Sequence, residues 1–122
     1  MRLTQDSSSG LNLIRAHQAG ELKVNDTLFR SPIIVSSSTV QLSPTIEEAD
    51  ALTAAHAEPL LALDPELVLL GTGARQIFPP RMFRARFLAK GIGLEVMNTG
   101  AACRTFNVLI AERRRVVALL WP

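Results

Sequence analysis

Apolar and polar positions along the chain fall into two regimes. From residue 67 onward, solid apolar runs alternate with segments of helical period. Leu67-Val68-Leu69-Leu70 runs into Gly71-Thr72-Gly73, and a loop ending in Phe78-Pro79-Pro80 leads to an Arg-rich stretch at 81–90. A second apolar run follows at 92–97, then a helix after Asn98-Thr99, then a last run at 116–120. Four leucines and valines without polar alternation predict a strand buried on both faces. Apolar runs alternating with helices imply a sheet covered by helices. Strands joined through the 81–90 helix should be parallel, with a right-handed crossover.

Before residue 67 the runs are shorter. Residues 11–16 alternate weakly and read as a first strand. Leu22-Lys23-Val24 and Thr27-Leu28-Phe29 flank Asn25-Asp26, and both turn residues tolerate positive φ, so a two-residue hairpin is expected. Ile33-Ile34-Val35 follows Pro32, Ser36-Ser37-Ser38 breaks the run, and Val40 and Leu42 come next. The leading third therefore reads as one small antiparallel layer. Ser43-Pro44-Thr45-Ile46-Glu47-Glu48 predicts a helix start. Either Ser43 caps with Pro44 at the first helical position, or Thr45 and Glu48 form a capping box. Glu47, Glu48 and Asp50 suit the positive end of the helix dipole. That helix should end before Pro59. Leu60, Leu61 and Leu63 then make an apolar connector, and Asp64-Pro65 turns the chain into the central strand.

The 122 residues suit one domain, large enough to bury somewhat less than ~70% of its unfolded surface. The expected division is a disordered tail at 1–10 and a single domain at 11–122, with no internal repeat. Cys103 is the only cysteine, so neither an intramolecular disulfide nor a zinc cluster is expected. No run approaches the ~20 apolar residues of a membrane span, and a soluble cytoplasmic protein is the expectation. The net charge is +2 but unevenly spread. Residues 1–66 hold four Lys/Arg against nine Asp/Glu (−5), and residues 67–122 hold nine against two (+7). Solvated or mutually complementary faces account for this; a basic surface for an acidic partner is the functional alternative. The preponderance of arginine suits bidentate contacts and equally reflects genome composition.

Gly71-Thr72-Gly73-Ala74-Arg75-Gln76 is a near miss for a dinucleotide fingerprint. Gln76 stands where a third glycine should be, and Phe78-Pro79-Pro80 delays the helix. No P-loop lysine motif is present. The glycines read as a tight turn at the end of a strand, where open α/β sheets also place ligands. In the 81–90 segment Phe83 and Phe87 face the core one turn apart, leaving Arg81, Arg84, Arg86 and Lys90 mostly to solvent, with Gly91 as C-cap. With its aromatics used in the core and no tyrosine, nucleic-acid binding is disfavoured. Asn98 or Thr99 can cap the next helix, and small residues at 100–102 let it approach the sheet, beside Gly71-Thr72-Gly73. Cys103, in an early turn beside Arg104, could carry a lowered thiol pKa. A nucleophile also needs a base, and His17 and His56 lack triad or metal spacing. A buried small residue is the simpler reading of Cys103, and both histidines read as surface or cap residues.

As a set, Leu69-Leu70-Gly71-Thr72-Gly73, Phe78-Pro79, Gly91-Ile92-Gly93-Leu94-Glu95-Val96-Met97 and Thr99-Gly100-Ala101-Ala102-Cys103-Arg104-Thr105-Phe106-Asn107-Val108-Leu109 resemble a family of small uncharacterised α/β domains. That family includes the mitochondrial NADH dehydrogenase (complex I) assembly factor 3. The resemblance is detailed over the second half and looser over the leading hairpin. It implies a three-layer α/β domain with a mixed, mostly parallel five-stranded central sheet plus an N-terminal antiparallel β layer. It implies no cofactor and no established enzymatic activity; the eukaryotic branch helps assemble a respiratory complex through protein contacts. Arg113 stands where relatives often place Gly after a helix, so a looser or longer turn is expected there. Asp26 likewise replaces the more usual hairpin Gly.

The resulting expectation is a non-enzymatic interaction or assembly module with a protein partner, a homo-oligomer being compatible with it. Gly71, Thr72, Gly73, Arg75, Thr99, Gly100, Cys103 and Arg104 form its candidate surface, flanked by the basic face of Arg81, Arg84 and Arg86. The alternative is small-molecule or anion binding at the carboxyl ends of the central strands.

Overall fold

The computed structural model describes residues 10–44 and 47–122. Residues 1–9 of the tail expected at 1–10, and the Thr45-Ile46 part of the expected capping box, lie outside the described residues. Strands β1 (Ile14–Gln18), β2 (Glu21–Val24) and β3 (Thr27–Phe29) form a three-stranded antiparallel sheet. The hairpin turn is Asn25-Asp26 as expected, but only Asn25 adopts positive φ (52°). Strands β4 (Ile33–Val35), β5 (Val40–Leu42), β6 (Leu67–Thr72), β7 (Gly93–Met97) and β8 (Val116–Trp121) form the central sheet in the order β5-β4-β8-β6-β7. β6 pairs in parallel with both β7 and β8, and β4 pairs antiparallel with both β8 and β5. Only β4 therefore runs against the other four, which makes the sheet mixed.

The leading third is not one layer. β4 and β5 leave the hairpin and extend the central sheet. Ile33, Ile34 and Val35 are all buried, and a strand apolar on both faces needs a sheet covered on both sides. The helix expected from 44 to 58 is also replaced, by two short 3-10 turns, Ala49–Ala51 and Ala54–Ala57. Helix α1 (Glu58–Leu61) then takes in Pro59 instead of ending before it. The buried positions explain this. Leu52 and Ala57 are both in the core, yet a five-residue gap lands about 140° off the same face of an α-helix. The chain opens at Leu52 (φ −64°, ψ 142°) and starts again. Pro59 fits the first turn of α1, where its missing N–H has no intrahelical partner to lose.

Helices α2 (Arg81–Leu88) and α3 (Thr99–Ala111) fall on opposite faces. Along β6, Leu67 and Leu69 join one cluster with Phe106, Ile110, Ile14 and Leu22; Val68 and Leu70 join the other with Phe83, Phe87, Leu52 and Leu60. The strand is buried on both faces, as its unbroken apolar run predicts. The layers are thus α3 with the three-stranded sheet, the central sheet, and α1 and α2 with the 3-10 turns. Gly91 (φ 69°) caps α2 through paired bonds, its own N–H to Leu88 O and that of Ile92 to Phe87 O. Arg113 (φ 62°) closes α3 with the same pair, to Ile110 O and, through Arg114, to Leu109 O. The turn is a regular Schellman cap, neither loose nor long, because two backbone bonds hold the arginine left-handed.

Candidate functional site

The corner where β6, β8 and α3 meet is built by glycine and threonine. A side chain at Gly71 would put its Cβ 2.7 Å from Leu120 Cδ2, 2.9 Å from Ala102 Cβ and 3.2 Å from Thr99 Cα. The missing side chain lets α3 lie directly on the sheet. Thr99 is fully buried. Its hydroxyl donates to Trp121 O (2.6 Å) and accepts from Gly73 N (2.7 Å), while its own N–H donates to Gly73 O (2.9 Å). The Thr72 hydroxyl donates to Arg75 O (2.6 Å) and accepts from Ile77 N (2.9 Å). Asn98 caps α3, its Oδ1 accepting from Ala101 N (2.9 Å). The two threonine hydroxyls and the Gly73 backbone are therefore consumed by the fold. Gly71 and Thr72 belong to the strand, and the turn residue is Gly73 (φ 91°).

The predicted surface residues divide around this tie. Thr72, Gly73 and Arg75 line a recess of about 280 Å³ with Glu48, Ile77, Trp121 and Pro122, so it holds one acidic side chain beside its one arginine. Gly100, Cys103 and Arg104 line a groove of about 240 Å³ against β1, with Arg15, His17 and Asn107. Thr99 lies buried between the two. On the α2 face, Arg86 donates to Ala54 O (3.4 Å) and pairs with Glu58. Arg81 and Arg84 have no ion pair among the described residues.

Cys103 is buried, and that burial pushes its thiol up to about 11, with the nearby Arg104 charge only partly opposing it. The lowering that Arg104 could have given does not occur, and Cys103 is the buried small residue of the simpler reading: desolvation of a thiolate outweighs one exposed guanidinium. Among the described residues no three His, Cys, Asp or Glu side chains are placed to hold a metal ion, and no helix is long and apolar enough to cross a membrane.

Arg15 and His17 are the groove residues that the chain's local patterns do not reveal. They arrive from β1, which the Asn107 side chain anchors: its Oδ1 accepts from Ile14 N and its Nδ2 donates to Ile14 O, both at 2.9 Å. One signal was available. Asn107 sits four residues after Cys103 and three before Ile110, an amide on the buried side of the helix, and such groups require partners.

The geometry defines a three-layer α/β domain with a saturated corner and a basic groove beside it. Residues 14–121 match the family described as "Protein of unknown function (DUF498/DUF598)", and the chain belongs to that family. Its fold matches the crystal structure of a Bordetella parapertussis protein with a TM-score of 0.87 and 36% identity, covering 94% of this chain and 98% of that one. The "13 kDa major membrane protein" of Francisella tularensis is 26% identical over 98% of both chains. The Xenopus tropicalis NADH dehydrogenase [ubiquinone] 1 alpha subcomplex assembly factor 3 is 40% identical over 58 residues, 47% of this chain and 31% of that protein.

Proposed function

We infer that the domain is a non-enzymatic interaction module that works in the assembly of a larger complex, as the name of its Xenopus relative describes for that protein. One observation carries this reading. Arg75, on the loop after β6, and Arg104, in the second turn of α3, stand exposed on two segments tied together through Thr99, and neither side chain has a hydrogen bond or ion pair among the described residues. Unpaired arginines on a fixed backbone suit bidentate capture of a partner's carboxylates, and a rigid base reduces the entropy lost on docking. Arg81 and Arg84 lie on α2, across the central sheet from Arg104, so the basic face expected to flank this surface is a separate one. The test is a pull-down from the native host with wild type and Arg75→Glu/Arg104→Glu. One dominant protein should be lost in the variant while its thermal unfolding stays cooperative. Capture of the same proteins by both contradicts the reading.

A second reading, small-molecule or anion binding at the carboxyl ends of the central strands, is favoured by the recess at Thr72, Gly73 and Arg75. A thermal-shift screen with nucleotides and phosphorylated metabolites separates it: a flat response removes it. Cytoplasmic residence is part of the first reading, and fractionation tests it against the membrane association named for the Francisella relative.

A further inference from the structure

Three basic side chains, Arg15, His17 and Arg104, line the groove between β1 and α3, and no acidic side chain lines it. None of the three has a side-chain hydrogen bond or ion pair among the described residues. Arg30, Arg86 and Arg114, by contrast, are each held by a glutamate. The two arginine charges, gathered without a counter-charge, repel one another, and an anion placed between them reverses the sign of the interaction.

Gly100 supplies the space. A Cβ built there would lie 3.6 Å from Arg104 Nη1 and 3.6 Å from His17 Nδ1. Two nitrogens from elements far apart in the chain thus converge on the volume that a side chain at this position would fill. Asn98 Oδ1, 3.5 Å from the same point, is already engaged by the Ala101 N–H. The Gly100 N–H has no partner among the described residues, whereas those of Thr99, Ala101 and Ala102 are taken by Gly73 O, Asn98 Oδ1 and Asn98 O. Hydrogen bonds from charged donors to an oxyanion are short and strong; His17 Nδ1 donates when it carries the proton.

We propose that this groove binds an oxyanion, the phosphate or carboxylate group of a small molecule, over Gly100 and between Arg104, His17 and Arg15. The site goes beyond the partner-binding reading and is separable from it, because Gly100→Ala blocks the space while leaving every charge in place. The added methyl makes only ordinary contacts with its neighbours, and alanine favours a helix, so the variant should fold.

The experiment is a titration of the full-length ¹⁵N-labelled protein, followed by amide chemical shifts, with inorganic phosphate in one arm and acetate in the other. Chloride holds ionic strength constant. One anion or both should shift the Gly100 and Arg104 amides saturably, and the tighter curve identifies the group. Gly100→Ala and Arg104→Gln should each weaken that binding about tenfold or more, the equivalent of losing one charge-assisted hydrogen bond. Absence of saturable shifts with both anions in the wild type overturns the proposal. So does an unchanged binding curve in either variant.

Discussion

The corner at Gly71–Thr99 and the groove at Gly100–Arg104 share a helix turn, yet they treat their polar groups in opposite ways. In the corner, both threonine hydroxyls donate and accept within the protein, and the glycine is filled by neighbouring side chains. In the groove, the side chains of Arg15, His17 and Arg104 and a backbone N–H have no partner among the described residues. Buried groups must be satisfied inside the fold, whereas exposed ones can wait for another molecule. The stretch that looks most like a binding motif, Gly71-Thr72-Gly73, is thus the one whose chemistry is already spent on structure.

The largest effect should come from Thr99→Val, which keeps the shape and removes the hydroxyl. Trp121 O and Gly73 N–H would each lose a partner, at roughly 1–3 kcal/mol per orphaned group. Denaturant unfolding should show a loss of about 2–4 kcal/mol. A loss near zero would mean the corner is wet. Gly71→Ala comes next. Its methyl meets Ala102 Cβ, which cannot swing aside, so α3 must move off the sheet; the cost should be about 1–3 kcal/mol by the same measurement. Arg113→Gly should act in the other direction. It relieves a left-handed arginine at the end of α3 and should stabilise by about 1 kcal/mol or less, read as a higher Tm.

Cys103 lies on the groove wall and probes how open that wall is. With its thiol raised to about 11 by burial, iodoacetamide should label it more slowly at neutral pH than a free-thiol peptide. Faster labelling would move the residue to the reactive side of the comparison. The smallest effect belongs to the far end of β6. Glu66 accepts from Arg115 N (2.8 Å) and pairs with Arg114 (3.1 Å), which together hold its carboxyl below the ordinary glutamate value. Its contribution is therefore fully present above that ordinary value and is lost as pH falls through the lowered one. The Tm difference between wild type and Glu66→Gln should shrink as pH falls through that range.

Much of this fold is legible in local sequence. The buried β6, the Asn25 hairpin, the Phe83/Phe87 face of α2, the Gly91 cap and the close approach of α3 all rest on contacts or propensities within a few residues. What is not legible depends on partners distant in the chain. Nothing local says that Ile33–Val35 pairs with β8, a partner from the other end of the sequence. The acidic start at 43–48 carries good helix signals, yet core positions at Leu52 and Ala57 break the helical period. The candidate site follows the same rule. Gly71, Thr99 and the small residues of α3 were identifiable as a packed corner. The splitting of the surface residues into a recess and a groove was not, and Arg15 and His17 enter only because Asn107 binds the edge of β1.

The most direct test of the contrast is native-state hydrogen exchange at two amides, Gly73, bonded to the Thr99 hydroxyl, and Gly100, which has no partner among the described residues. Gly73 should be strongly protected, opening only with the corner, while Gly100 should exchange orders of magnitude faster. Equal, rapid exchange at both positions would contradict the account, because the corner would then be as unsatisfied as the groove.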